Sequence, residues 1–127
     1  MAYGEELILD LYDCDPSTFT RDSISNYLVQ LCDLINMERE DLYFWDYEGV
    51  PEDERPTEGH LLGTSAVQFI STSDIVIHTL DILKECYINI FSCKDFNAEE
   101  AVEFTSKWFG ALSYDHSEHV RGQRSKR

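Results

Sequence analysis

The chain has 127 residues, of which 43% are hydrophobic and 13% aromatic, and its 25 acidic side chains outweigh 10 lysines and arginines to give a formal net charge of -15. A chain of this length can bury its own core, and the apolar fraction excludes a disordered protein, so we expect a single domain over residues 1–127. So acidic a chain repels phosphates and anionic lipid headgroups, which argues against nucleic-acid and membrane-surface functions.

The first half of the chain predicts a strand, a helix and a second strand. Residues 6–12 alternate leucines with other side chains, the period-two pattern of a strand. Apolar positions recur every three or four residues between 21 and 36, so we expect an amphipathic helix with Thr20 or Asp22 as its N-cap. Residues 42–47 predict the second strand, and the acidic residues 48–59, with two prolines, predict a surface loop.

The second half predicts three more strands and a second helix. The strands are expected at residues 65–71, 75–80 and 86–93, which are rich in β-branched and aromatic side chains. Asn97, with Glu100 three positions later, is typical of a helix start, and an apolar stripe follows as far as Gly110. About five strands, mainly antiparallel, and two helices on one face predict an α+β two-layer sandwich. The open face of its sheet could receive a second copy.

Targeting signals and metal motifs are missing from the sequence. Acids already occur at Glu5 and Glu6, and no apolar run reaches membrane-spanning length, so we expect a cytoplasmic protein. The cysteines have neither the spacing of a disulfide framework nor that of a metal site, and each is by default a buried apolar residue. They are Cys14, Cys32, Cys86 and Cys93.

Residues 63–93 carry the most informative pattern, GTSAVQFISTSDIVIHTLDILKECYINIFSC. This segment resembles the prokaryotic-type S-adenosylmethionine decarboxylases. In that family a Gly-Val-Ser-Gly turn leads to a strand ending Glu-Ser-His, and fixed spacings follow to an Ile-His-Thr and a Phe-Thr-Cys segment. The same spacings recur here at Ser73, His78 and Cys93. The resemblance extends to LILDLYDCD at residues 7–15 and to HVRG at residues 119–122.

The resemblance implies a self-processing lyase. The Ser73 hydroxyl would attack the carbonyl of Thr72, cut the chain into residues 1–72 and 73–127, and leave a pyruvoyl group at position 73 as the cofactor. That group would form a Schiff base with the substrate amine and accept electrons as carbon dioxide leaves. By the same resemblance His78 assists processing and Cys93 donates a proton to the product. The active assembly would be a homodimer that binds a small-molecule substrate.

Substrate contacts are implied at Ser65, His60 and Asp81. Ser65 stands in the glycine turn of the family, and Asp81 lies one place from the family's ribose-binding carboxylate. His60 lies next to the position of the family's adenine-stacking aromatic, which is absent here. Aromatic side chains from residues 43–47 offer alternatives for stacking, although Phe44 and Trp45 are expected to be core residues.

Strand geometry adds a condition to this assignment. Ser73 and His78 differ by an odd number of positions, so on one regular strand they would point to opposite faces. We therefore expect a bulge or bend between them, starting in the polar residues 71–74, where a strained backbone would also help an amide-to-ester shift.

Three functions stay open on the sequence alone. The first is pyruvoyl-dependent decarboxylation of S-adenosylmethionine for spermidine biosynthesis. The second is the same chemistry on another amino acid, such as arginine or ornithine, because the family's ribose and adenine contacts are altered. The third is an unprocessed, non-catalytic homologue that binds a ligand or partner, because Thr72 and Asp74 replace the family's glutamate and histidine around the serine.

Overall fold

The computed structural model describes residues 2–124, so Met1 and the last three residues, with Lys126 and Arg127 of the basic tail, lie outside the described range. The described residues form six strands and two α-helices. In chain order these are β1 (Gly4–Tyr12), α1 (Arg21–Leu34), β2 (Arg39–Trp45), β3 (Gly63–Ile70), β4 (Ser73–Leu80), β5 (Glu85–Ser92), α2 (Ala98–Trp108) and β6 (Ser113–Arg121).

The six strands make one sheet in the order β2-β3-β4-β5-β1-β6, and each neighbouring pair is antiparallel. The predicted α+β sandwich is confirmed, with one strand more than the five expected. The additional strand is β6, whose nine residues are all exposed. Because both of its faces are polar over most of its length, its sequence has no alternation of apolar and polar side chains.

The helices begin at the predicted caps. Thr20 Oγ1 accepts a hydrogen bond from the Ser23 N–H at 3.1 Å, and Asn97 Oδ1 accepts one from the Glu100 N–H at 3.0 Å. Helix α1 ends two residues before the predicted position, and Asn36 then adopts a left-handed φ of 59°.

Both helices pack on one face of the sheet and enclose the core there. The buried strand side chains are Leu7, Leu9, Leu11, Ala66, Ile70, Ile75, Ile77, Cys86, Ile88 and Ile90. They meet the apolar stripes of α1 and α2, which are joined by a buried hydrogen bond of 2.6 Å between Tyr27 Oη and Thr105 Oγ1. Among residues 2–124, no helix combines the length and the apolar character needed to cross a membrane.

The other face of the sheet carries the alternate residues of each strand. The registers align one transverse row across it: Trp45, Ser65, His78, Tyr87 and Asp10. Large apolar side chains of β2 and β3 are exposed on this face, including Tyr43, Trp45 and Phe69. We call this surface the open face.

The segment between β2 and β3 is the acidic surface loop that the sequence predicts, with a single short 3-10 turn at Glu52–Glu54. Its first residue, Asp46, is tied to α1 by a bidentate ion pair, with Arg21 Nε and Nη2 donating to the carboxylate at 2.6 and 2.8 Å. The same guanidinium lies 5.4 Å from the centre of the Phe44 ring. This clamp fixes where the loop leaves the sheet.

Candidate active site

The predicted cleavage bond lies in the tight hairpin between β3 and β4. Ser71 and Thr72 form the turn, and Ser73 begins β4 with a φ of 155°, a conformation that non-glycine residues rarely adopt. The Thr72 carbonyl oxygen accepts a hydrogen bond from the Cys93 backbone N–H at 3.0 Å. The Thr72 hydroxyl is held by Ser92 Oγ at 2.8 Å. The peptide between residues 72 and 73 is therefore fixed on both sides of the turn.

The bulge predicted between Ser73 and His78 is wrong. Strand β4 pairs with β3 and with β5 in one unbroken register from Ser73 to Leu80. Residues 71 and 72 form a two-residue turn, and residues 73 and 74 already belong to β4. Ser73 therefore stands opposite the buried Ser92, on the helix side, whereas His78 stands opposite Tyr87 on the open face. Five residues of strand also separate them by about 16 Å.

His78 and Ser65 form a polar pair on the open face. Ser65 Oγ lies 2.8 Å from His78 Nδ1, so the hydroxyl fixes the orientation of the imidazole. Both line a cavity of about 330 Å³, together with rings from three further segments. Those rings belong to Trp45, Tyr47, His60 and Tyr87.

The predicted substrate residues are only partly brought together. His60 lines the cavity of Ser65 and His78, with its Nε2 3.3 Å from an exposed Glu58 carboxylate. Trp45, expected in the core, is 75% exposed and lines this cavity, while Phe44 does pack against the core. Asp81 instead lines a neighbouring cavity of about 300 Å³ with Arg21 of α1 and Arg55 of the β2–β3 loop. Burial raises the pKa of its carboxyl group.

Cys93 is the one exposed cysteine among residues 2–124; the other three are buried as expected. It directly follows β5, and its thiol lies beside Tyr3. A hydrogen bond with Cys93 is the main cause that raises the pKa of Tyr3, and electrostatic interaction with Cys93 adds to it. The Tyr3 ring also lies 5.9 Å from that of Phe91. The thiol is accessible to solvent.

Asp74 places a carboxyl group directly after Ser73, the predicted cleavage position. Partial burial raises the pKa of its carboxyl group, and the charge of Glu6 on β1 raises it further. Both causes disfavour the charged form of the carboxyl group next to Ser73.

Sequence reasoning missed Tyr3, Tyr87 and the hydroxyl of Ser92. The strict alternation of residues 86–93 contains a usable signal for Tyr87, since pairing β5 with β4 would set it opposite His78. No sequence signal identifies Tyr3, because its contact joins the chain start to a residue 90 positions away.

Comparisons with known proteins identify the fold and the family of the chain. No curated protein sequence matches the chain. The fold is similar to that in the crystal structure of the adenosylmethionine decarboxylase from Aquifex aeolicus VF5, with a TM-score of 0.78 over 99% of this chain and 96% of that chain, at 19% sequence identity. The sequence profile of the S-adenosylmethionine decarboxylase family matches residues 5–122. Since this match spans nearly the whole sequence, the chain belongs to the S-adenosylmethionine decarboxylase family, which confirms the predicted enzyme class.

Proposed function

We propose that the chain is a zymogen that cuts itself between Thr72 and Ser73 and then decarboxylates S-adenosylmethionine. The Ser73 hydroxyl oxygen bonds to the Thr72 carbonyl carbon, the C–N bond breaks, and the nitrogen keeps the hydroxyl proton as an amine. Loss of the Ser73 α-proton then breaks the ester bond, releases the Thr72 carboxylate and leaves a dehydroalanine. Water converts it to the pyruvoyl group, and ammonia departs.

The hydrogen bond from the Cys93 N–H to the Thr72 carbonyl oxygen carries this proposal. A donor 3.0 Å from that oxygen polarises the carbonyl and stabilises negative charge that develops on it during attack. The unusual φ of Ser73 supports the same step, because the strain is relieved when the amide is broken. Both features lie at the bond that the family resemblance selects.

The pyruvoyl group would supply an electron-accepting carbonyl for the decarboxylation. Cys93 follows β5 next to this position and is exposed, so its thiol can deliver a proton to the substrate carbon that loses carbon dioxide. Tyr3 lies beside Cys93 and can orient the thiol. In the cytoplasm, where we place the enzyme, such a thiol stays reduced.

The Ser65–His78 pair reaches this centre in a homodimer. His78 lies about 16 Å along β4 from Ser73, so one protomer does not bring them together. If two protomers pack their open faces around a twofold axis, the His78 cavity of one adjoins the hairpin and Cys93 of the other. The exposed Tyr43, Trp45 and Phe69 supply apolar surface for such packing.

The cavity around His78 suits the rest of the substrate. Its volume of about 330 Å³ lies at the small end of ligand sites, and a partner's surface would enclose it further. The faces of Trp45 and Tyr87 can contact an adenine ring or a sulfonium cation, a contact worth roughly 0.5–2 kcal/mol. The decarboxylated product is an aminopropyl donor, and we assign it to spermidine biosynthesis.

Denaturing gel electrophoresis and mass spectrometry test the self-cleavage. We expect fragments of residues 1–72 and 73–127, the second starting with a pyruvoyl group. Ser73→Ala should stay intact and inactive, whereas Ser71→Ala, which removes an exposed hydroxyl bonded to Glu40, should be cut normally. An intact wild-type chain after long incubation contradicts the proposal and leaves the non-catalytic homologue.

Release of labelled carbon dioxide tests the substrate. Carboxyl-labelled S-adenosylmethionine should lose its label, and labelled arginine and ornithine should not. The reverse pattern would assign the pyruvoyl chemistry to another amino acid.

Complementation tests the shared site. Ser73→Ala and His78→Ala should each be inactive alone, but chains co-expressed in equal amounts should recover about a quarter of the wild-type activity, because half of the dimers are mixed and each has one complete site. If the mixture stays inactive, Ser73 and His78 act within one protomer.

A further inference from the structure

Strand β6 is an unprotected edge of the sheet. Its nine residues, Ser113–Arg121, pair with β1 on one side, and within residues 2–124 no strand pairs with the other side. Every residue of the strand is exposed. A long free edge offers unpaired N–H and C=O groups to any extended segment, so proteins normally block such edges with bulges, prolines or charged side chains, above all lysine. Strand β6 has no bulge, proline or lysine, and its charged side chains, Asp115, Glu118 and Arg121, are of both signs.

The sequence of β6, SYDHSEHVR, is complementary to itself in the antiparallel direction. If two copies pair around Ser117, Asp115 stands opposite His119, and His116 stands opposite Glu118. Each pair occurs twice, because a twofold axis relates the copies. A histidine ring N–H can donate to a carboxylate in either protonation state, so all four pairs are attractive at neutral pH.

Neighbouring registers lack this complementarity. Centring the pair on Glu118 sets two carboxylates opposite each other, and centring it on His116 sets two imidazoles opposite each other. An axis between residues 117 and 118 places His116 opposite His119. Since like groups directly opposite each other are unfavourable, the charge pattern selects Ser117 as the centre.

Apolar side chains follow the same register. Tyr114 is 45% exposed and Val120 is 62% exposed, and pairing around Ser117 sets each opposite the other. Both lie in the row of β6 that includes His116 and faces α2, and Tyr114 lines a groove of about 390 Å³ that reaches Val102. The pairing would cover two large side chains in each copy that are exposed in the single chain.

The opposite edge of the sheet behaves differently. Strand β2 shifts register between Arg39 and Leu42, so its edge is distorted by a bulge. Antiparallel pairing around Leu42 would set Asp41 opposite Tyr43 and Arg39 opposite Trp45, whereas pairing around Glu40 would set Arg39 opposite Asp41 but within the distorted stretch. Of the two edges, only β6 has a regular backbone along its whole length.

We propose that β6 is an interface with a second copy of this chain, in which two β6 strands pair antiparallel around a twofold axis at Ser117. Two six-stranded sheets then form one continuous sheet of twelve strands. This surface is separate from the open face and does not depend on self-cleavage. If both contacts form, the assembly contains four protomers.

Mass measurement in solution with a charge swap tests the interface. His116→Glu places a glutamate opposite Glu118 in both pairs and should halve the protomer number seen by light scattering or sedimentation. The double variant His116→Glu/Glu118→His places a histidine opposite a glutamate again and should regain the wild-type mass. Its composition equals that of the wild type, so only the order of the two residues differs. Both side chains are exposed, so circular dichroism should be unchanged. A wild-type mass for His116→Glu, or a halved mass for the double variant, overturns the proposal.

Cross-linking tests the register independently. In a Cys93→Ser background, Ser117→Cys lies on the twofold axis next to its own copy, so a short bismaleimide should link two chains. Ser113→Cys is the matched control: four positions from the axis, its own copy is about 26 Å away, and it should not link. Equal linking of the two variants, or none by Ser117→Cys, refutes the register.

Discussion

The buried hydroxyl of Ser92 provides a sensitive test of how the cleavage bond is positioned. Ser92 Oγ is 2.8 Å from the Thr72 hydroxyl and accepts a hydrogen bond from the Lys94 N–H at 3.0 Å. Its residue is fully buried, so water cannot replace these contacts. In Ser92→Ala the Thr72 hydroxyl keeps only the Met37 sulfur, 3.5 Å away and a weak acceptor.

The size of the effect follows from the two lost bonds. Each buried hydrogen bond contributes a net 0.5–1.5 kcal/mol, so Ser92→Ala should lower the free energy of unfolding by about 1–3 kcal/mol. The bond to Thr72 also orients the peptide that Ser73 attacks. If this share, about 1 kcal/mol, is lost from the reactive geometry, cleavage should slow about fivefold.

Gel electrophoresis after synthesis of the intact chain measures the rate of cleavage. The thermal midpoint is measured separately with Ser73→Ala added to each variant, so that every chain stays uncut. Thr72→Val removes the other hydroxyl of the pair and should slow cleavage by a similar factor, with no further loss in the double variant. Ser71→Ala is the control in the same turn, with its hydroxyl bond on the surface. Cleavage of Ser92→Ala at the wild-type rate, with the expected fall in stability, would show that the pair only supports the fold.

Three further outcomes test the fold. Tyr27→Phe should lower the free energy of unfolding by about 1–2 kcal/mol in urea titrations, because the buried Thr105 hydroxyl loses its 2.6 Å partner. Gly63→Ala should cost about 1–3 kcal/mol and lower the thermal midpoint, since a Cβ there collides with the Thr79 carbonyl oxygen. Burial raises the pKa of Cys32 from 9.0 to about 11, so the folded state favours the protonated thiol. This shift contributes about 2–3 kcal/mol to the free energy of unfolding below pH 9, and the contribution should be lost as the pH rises to 11. Urea titrations at pH 8 and pH 11 measure the loss, and Cys32→Ala should lose less stability between these two pH values.

Most of the fold can be predicted because its elements have strong local signals. The stripe of α1 and the caps Thr20 and Asn97 act within a few residues, and the structure confirms them. Strand β6 lacks such a signal, since the residues on both of its faces are exposed and a strand of this composition is defined only by pairing with β1. Periodicity reports burial, so it cannot find an element that is not buried.

The site shows the same limit. Spacing along the chain selects Ser73, His78 and Cys93, and in the structure the Cys93 N–H lies 3.0 Å from the carbonyl oxygen of Thr72, at the bond that we propose is cut. The expected bulge came from assuming that Ser73 and His78 meet within one chain. Asp81 illustrates another limit, because its cavity depends on where the following loop runs and not on its distance in sequence from His78.

The sheet order also determines what the proposed self-cleavage would do to the molecule. Residues 1–72 supply β1, β2 and β3, and residues 73–127 supply β4, β5 and β6, so in the sheet the pieces alternate: two strands from the first, two from the second, then one of each. Strand β1 is held between two strands of the other piece. The two products would therefore share one sheet and could not separate unless the sheet were disrupted. If the chain is cut as we propose, the cut has to follow folding, and the two pieces expressed separately should reassemble the sheet poorly.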